Sequence, residues 1–214
     1  MARPIGIVAV AFGDGDLHEH ATRAAELGFD HIDAHIDAID ALDDTALPIP
    51  IADRISGFDV ADGCTALAPF ERRDEDKFDE TVARFRAHPG ARLEPGPGTS
   101  ARSIEKVEAL VAAVPGLRLT LDTGHVATWG EDPVALLRHA DHVQFRQAAR
   151  RQPQRHPDEG GDVDFRAVLA ELDRLDYRGS ISIEYFDLPE MGWGLDDPVG
   201  YSVALAAHVR ALMR

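Results

Sequence analysis

The sequence predicts an α/β protein folded as a compact or partly degenerate (β/α)8 TIM barrel. Three observations predict this fold. Short apolar strands alternate with amphipathic helices, the strands number seven or eight, and no linker or low-complexity segment divides the chain. We therefore expect a single barrel domain over residues 1–214, which is small for a fold of about 250 residues.

The N-terminal third begins with this alternation and then becomes less regular. The predicted strand, helix and second strand are IGIVAVAF, DLHEHATRAAELG and FDHIDAH. Between Ala41 and Arg73, the apolar runs LPIPIADRI and CTALAPF have no convincing helix between them. We therefore expect the crossover helix near residues 55–65 to be missing or reduced.

The C-terminal two-thirds repeats strand, loop and helix more clearly. The predicted strands are ARLEPG, LRLTLD, DHVQFR and GSISIE, and the predicted helices are SARSIEKVEALVAAVPG, DFRAVLAELDRLDYRG and a last helix that begins at DDPVGY. In the second of these helices, Phe165, Val168 and Leu172 fall on one face at a spacing of 3.6 residues. In the last, Asp197 can cap the N-terminus and Pro198 suits the first turn.

Composition and net charge limit the classes of partner that we expect this protein to bind. The net charge of −16 would repel nucleic acid and anionic membrane surfaces, and no apolar run is long enough to cross a bilayer. A single cysteine, Cys64, suits a reducing cytoplasm. We expect a cytoplasmic protein that acts on a small-molecule substrate, and assembly into a homo-oligomer remains open.

The two-residue period of the later strands gives each an apolar face and a polar face. The polar face should point into the barrel and carry an oxygen donor near the carboxyl end of its strand, where barrel active sites lie. These donors are Glu94, Asp122, Gln144 and Glu184. Such residues can also be ordinary strand-end side chains facing water. Their shared parity and position favour a common site.

Three converging carboxylates would repel one another unless a cation lay between them. Hard oxygen ligands favour Mg²⁺ or Mn²⁺. His125 follows Asp122 in what we expect to be a loop over the barrel mouth, where it could bind a second metal, contact a substrate oxygen or cap a helix. Asp33 and His35, on one face of the second strand, are further candidates for substrate contact.

Five motifs in this order resemble the xylose isomerase-like barrel superfamily of sugar isomerases, epimerases and family 2 apurinic endonucleases. They are LEP at 93–95, DTGH at 122–125, HVQF at 142–145, RHPDEGGDVDF at 155–165 and YRGSISIEY at 177–185. The resemblance is close over residues 91–186 and looser at GFDHID, residues 28–33.

At position 144 this chain has glutamine where most members of the superfamily have histidine. In this respect it is similar to the hydroxypyruvate isomerase branch. The resemblance implies one divalent ion (Mg²⁺ or Mn²⁺, with Zn²⁺ and Co²⁺ also compatible), bound by the four oxygen donors. It also implies that Glu94 and Glu184 move protons, and that His125, Arg155 and His156 contact substrate. The chain departs from the family in its short N-terminal half and in the basic loop FRQAARRQPQ, which is either a solvated surface or attracts a substrate carboxylate or phosphate.

The leading functional hypothesis is a metal-dependent isomerase or epimerase of a small hydroxy-carbonyl compound or sugar, acting through an enediolate. A lyase or dehydratase on the same metal site is an alternative, as is a non-catalytic binding protein on a shortened barrel. A DNA-repair endonuclease is disfavoured by the acidic charge and by Gln144 and Gln154, which stand where that branch has a histidine and an aspartate.

Overall fold

The computed structural model describes residues 3–43, 46–69 and 77–214. Eight parallel strands form a closed barrel in which each strand pairs with the next, and the eighth pairs with the first. The strands are β1 (Ile5–Val8), β2 (Ile32–His35), β3 (Ile51–Ile55), β4 (Thr65–Leu67), β5 (Arg92–Glu94), β6 (Arg118–Asp122), β7 (Ala140–Phe145) and β8 (Ser180–Ile183). The predicted (β/α)8 barrel is confirmed.

Seven α-helices accompany the strands in the described ranges. They are α1 (Leu17–Glu26), α2 (Ile36–Asp40), α3 (Phe78–Ala87), α4 (Ile104–Ala113), α5 (Thr123–Trp129), α6 (Phe165–Arg174) and α7 (Pro198–Leu212). Short 3₁₀ helices lie at Ala9–Phe12, Pro133–His139, Pro157–Glu159 and Pro189–Met191. None of the helices in this described portion combines the length and apolarity needed to cross a bilayer.

Residues 56–64, between β3 and β4, contain no helix, which confirms the expected loss of one crossover helix. The two parallel strands are joined by a loop alone. The Ser56 backbone N–H after β3 donates to the carbonyl of Thr65 in β4 over 2.8 Å. The sheet still closes across this connection.

The predicted helices form where caps and apolar periodicity agree. The Asp164 carboxylate accepts from the Ala167 N–H at 3.0 Å and begins α6, whose residues Phe165, Val168 and Leu172 are buried. Asp197 caps α7 through the Gly200 N–H at 2.8 Å, with Pro198 in its first turn. These apolar faces cover the outside of the barrel, so polar side chains of the strands point inward.

Candidate active site at the barrel mouth

The four predicted oxygen donors lie at the carboxyl ends of four consecutive strands. Glu94 ends β5, Asp122 ends β6, Gln144 is the last but one residue of β7, and Glu184 directly follows β8. Asp122 is in register with Gln144, and Gln144 with Ser182. All four donors are buried, with at most 7% of their surface exposed.

Three of these donors and His125 form one cluster. Single ligand atoms of Glu94, Asp122, His125 and Glu184 all lie within 4.8 Å of one another. The structure therefore brings the predicted carboxylates together with the predicted histidine. Gln144 occupies the neighbouring register position between Asp122 and Ser182.

The expected loop at His125 is wrong, because this residue lies in the first turn of α5. Asp122 produces the helix: its Oδ1 accepts from the Gly124 and His125 N–H groups, at 2.6 and 3.3 Å. An N-cap of this kind satisfies backbone donors that a helix leaves unpaired. One carboxylate thus starts the helix with Oδ1 and presents Oδ2 to the site.

The His125 imidazole is held between the carboxylates. Its Nδ1 lies 2.8 Å from the Pro95 carbonyl oxygen, which fixes Nδ1 as the donor and leaves Nε2 without the proton. Nε2 lies 3.4 Å from Asp122 Oδ2. Burial lowers the pKa of His125 to about 4, against the attraction of Asp122, so the ring is neutral at neutral pH.

Burial and mutual repulsion make the carboxylates costly as anions. Burial, followed by the charge on Asp122, raises the pKa of Glu94 to about 8. Burial and the charges of Glu94 and Asp122 raise the pKa of Glu184 well above its usual range. Burial acts on Asp122 in the same direction, but the Arg146 guanidinium, together with smaller contributions from His125 and from hydrogen bonds, outweighs it, and the pKa of Asp122 is lowered.

The donor set fits a divalent cation. Both polar atoms of the Gln144 amide and Oε2 of Glu184 are buried without a hydrogen-bond partner among the described residues. Unpaired buried oxygens of this kind are costly unless a ligand satisfies them. With two more carboxylates beside them, these oxygens suit a hard cation such as Mg²⁺ or Mn²⁺, and His125 Nε2 is also acceptable to Zn²⁺ or Co²⁺.

Arg146 does not belong to a solvated basic loop. It follows β7 at the parity of Gln144, is fully buried, and forms an ion pair with Asp122 Oδ2. Its Nη2 also lies 3.9 Å from Glu184 Oε2. The neighbouring Arg150 and Arg151 are exposed, so the solvated interpretation fits those two residues alone.

A second polar layer lies beneath the site and is formed by inward-facing residues of β2, β3, β4, β5 and β7. His142 Nε2 lies 2.7 Å from Asp33 Oδ2, and both side chains are buried. On β3, Asp53 forms an ion pair with Arg92 and accepts from Thr65 Oγ1 at 2.8 Å. This layer fills the barrel interior beneath the site with paired charges.

A cavity of about 520 Å³ opens over the cluster, a size that suits a small organic ligand. Its polar wall includes Glu94, His125, Glu184, Asp33 and His35. The remaining wall is largely apolar and includes Val8, Leu17, Ile55, Leu67, Phe186 and Trp193.

The other predicted substrate contacts are not on this wall as far as the described residues define it. Arg155 lines a smaller depression of about 340 Å³, and Trp193 borders both spaces. His156 packs edge-on against Tyr201, with ring centroids 4.8 Å apart. A role for Arg155 and His156 in substrate binding stays a prediction.

Sequence reasoning assigned no role in the site to Asp53 or His142, and it considered Arg146 only as part of a basic loop that is solvated or attracts a substrate carboxylate or phosphate. The two-residue period does place Arg146 and His142 on the inward face of β7. Charged residues are usually exposed, so the pattern alone does not predict their burial. Asp53 lies within an apolar run of the sequence. Its inward orientation can be recognised only once β3 is aligned with β2, because Asp53 is then in register with Asp33.

Similarity to known proteins identifies the family of this chain. A family model described as a xylose isomerase-like TIM barrel matches residues 15–207. The chain belongs to the xylose isomerase-like TIM barrel family. A sequence comparison with curated proteins gives no significant match.

Several solved structures share the architecture of this chain at low sequence identity. A xylose isomerase-like TIM barrel/4-hydroxyphenylpyruvate dioxygenase fusion protein has a TM-score of 0.67 at 18% identity, over 96% of this chain and 42% of that chain. An L-ribulose 3-epimerase has a TM-score of 0.66 at 15% identity, over 99% and 95% of the two chains. The IOLI protein with a binding zinc atom has a TM-score of 0.67 at 14% identity, over 99% of both chains. At these identities the likeness shows the fold alone.

Proposed function

We propose that this protein is a divalent-metal-dependent isomerase or epimerase of a small hydroxy-carbonyl compound or sugar. The observation that carries this proposal is the buried cluster of Glu94, Asp122, His125 and Glu184, which lies at the catalytic end of a closed barrel and opens into a cavity of about 520 Å³. Family membership and the fold shared with a sugar epimerase and a zinc-containing protein support it.

Glu94, Asp122, Gln144 and Glu184 would hold the ion, with Mg²⁺ or Mn²⁺ preferred and Zn²⁺ or Co²⁺ compatible. When bound, such an ion supplies positive charge where an enediolate develops negative charge. The chain supplies the remaining requirements. The barrel strands fix the four side chains, which are buried.

Isomerisation and epimerisation both require a proton to leave a carbon beside a carbonyl and to return elsewhere. Glu94 and Glu184 lie on β5 and after β8, so they can approach a substrate from different sides. One carboxylate removes the proton, and the other returns it to the adjacent carbon or to the opposite face. The neutral His125, with Asp33 and His35 on the cavity wall, would bind substrate oxygens.

The test follows solvent deuterium into carbon positions of hydroxypyruvate and a panel of short ketoses and aldoses, in D₂O with Mn²⁺. We expect exchange or isomerisation of at least one compound. We also expect Glu184→Gln to slow the reaction by about 10²- to 10⁴-fold, the usual contribution of a general acid–base group. Glu105→Gln, an exposed change in the first turn of α4, is the matched control and should keep full activity.

The other outcomes separate the alternatives. Unchanged turnover in Glu184→Gln would contradict the assigned role of that carboxylate. Deuterium exchange accompanied by loss of water would indicate a dehydratase on the same site. A protein that binds no metal and exchanges no proton would instead be a binding protein on a shortened barrel.

A further inference from the structure

The Arg146 guanidinium lies inside the proposed metal site. The side chain is fully buried and contacts Asp122 Oδ2, and its Nη2 is 3.9 Å from Glu184 Oε2. It therefore faces one oxygen from each of two carboxylates that would share a divalent ion.

The surroundings of Arg146 hold it in this position. A Cβ atom on Gly124 would lie 2.7 Å from Arg146 Nε and 3.0 Å from its Cβ, so a larger residue at position 124 would force Arg146 to move. The guanidinium carbon lies 4.8 Å from the ring centroid of Phe186 and 5.4 Å from that of Trp193. Both aromatic rings attract the cation through their π faces.

Hydrogen bonding alone does not explain this burial. Nε and Nη1 of Arg146 have no hydrogen-bond partner within the described ranges. An arginine that leaves two donors unpaired in the interior loses solvation free energy, and the negative charge of the neighbouring carboxylates must offset that loss. The guanidinium thus supplies positive charge to the same oxygens that a metal would neutralise.

We propose that Arg146 is a resident counter-cation of this site, and that a divalent ion must compete with its guanidinium for Asp122 and Glu184. The inference rests on the proposed function and its metal site. It concerns the affinity of this site for a divalent ion and the state of the site when no metal is bound. In the metal-free protein Arg146 neutralises part of the carboxylate charge and so contributes to the stability of the barrel. The competition weakens metal binding, since a dication near Asp122 is repelled by the guanidinium.

The test compares wild-type protein with Arg146→Met, which keeps the length of the side chain and removes its charge. Calorimetric titration with Mn²⁺ should show binding at least about tenfold tighter in Arg146→Met, as expected when a competing cation is removed. The Tm of metal-free Arg146→Met should fall by about 10 °C, and Mn²⁺ should restore it. Arg150→Met makes the same change at an exposed position and should leave both quantities at their wild-type values.

Equal or weaker Mn²⁺ binding in Arg146→Met than in a wild-type protein that binds the ion would overturn the inference. A second measurement needs no variant: the arginine Nε–H NMR signal of Arg146 in wild-type protein should shift on addition of Mg²⁺, and an unchanged signal would also overturn it. Failure of the proposed function is distinguishable, because it would appear as missing proton exchange in a wild-type protein that still binds Mn²⁺.

Discussion

The Asp33 carboxylate and the His142 imidazole form a buried ion pair beneath the proposed metal ligands. Burial opposes the charge on His142, but the Asp33 charge and hydrogen bond outweigh it, and the pKa of His142 is raised. Burial also opposes the charge on Asp33, and His142 reverses this effect, so the pKa of Asp33 is lowered. Each residue therefore depends on the other to remain charged in the barrel interior.

We expect His142→Gln to lower the free energy of unfolding by about 3–5 kcal/mol at about pH 6, because it leaves a buried carboxylate without its partner. The contribution of His142 is complete below its unfolded pKa of about 6.5 and is lost as pH rises through the higher folded pKa. Urea unfolding at about pH 9 should therefore show a smaller difference between variant and wild type.

The matched control for this experiment is His88→Gln. His88 Nδ1 lies 3.0 Å from Asp62, and both side chains are substantially exposed. Breaking this exposed pair should cost at most about 1 kcal/mol. A loss in His142→Gln that is no larger than in the control, or that does not shrink at high pH, would contradict the buried pair.

At the scale of single residues, the sequence predicts site residues best where an oxygen-donor side chain also has the inward-facing parity of its strand. Glu94, Asp122 and Glu184 were predicted from their positions at strand ends, and the structure brings them together. Arg146 has the same parity, but its burial depends on the missing side chain of Gly124 and on the charge of Asp122. Both are tertiary conditions that spacing within one strand cannot reveal.

At the scale of elements, α6 depends on a local signal that can be tested. Asp164 accepts from the Ala167 N–H at 3.0 Å in the first turn. We expect Asp164→Ala to lower the free energy of unfolding by about 1 kcal/mol, the usual cost of losing an N-cap. Urea unfolding of this variant is best compared with Glu26→Ala, which removes one exposed charge at the end of α1 without removing a cap. Equal losses in both variants would refute the capping role.

The elements also differ in how well local sequence predicts them. The strands β6 to β8 alternate clearly, so period two was sufficient to predict them. The seven-residue helix α5 contains Gly124 and two threonines, which are weak helix formers, and its start depends on Asp122 at the end of β6. It was therefore mistaken for a loop. The reduced β3–β4 connection was predictable because no helical pattern lies between the two apolar runs.

At the scale of the whole molecule, closure of the barrel brings the residues of the site together. The carboxylates come from β5, β6 and the end of β8, while Asp33 and His35 come from β2, and only a closed sheet brings both groups to one cavity. The net charge of −16 favours the approach of a cation and disfavours a polyanion. Topology therefore brings these side chains to one end of the barrel, and the net charge is compatible with a cationic ligand there.

The most direct test of this account is the anomalous diffraction signal of Mn²⁺ in crystals grown with that ion. We expect one strong peak per chain within bonding distance of carboxylate oxygens of Glu94, Asp122 and Glu184 and of the Gln144 amide oxygen. A peak elsewhere with these side chains left unbound, or no peak in crystals whose solution contains saturating Mn²⁺, would contradict it.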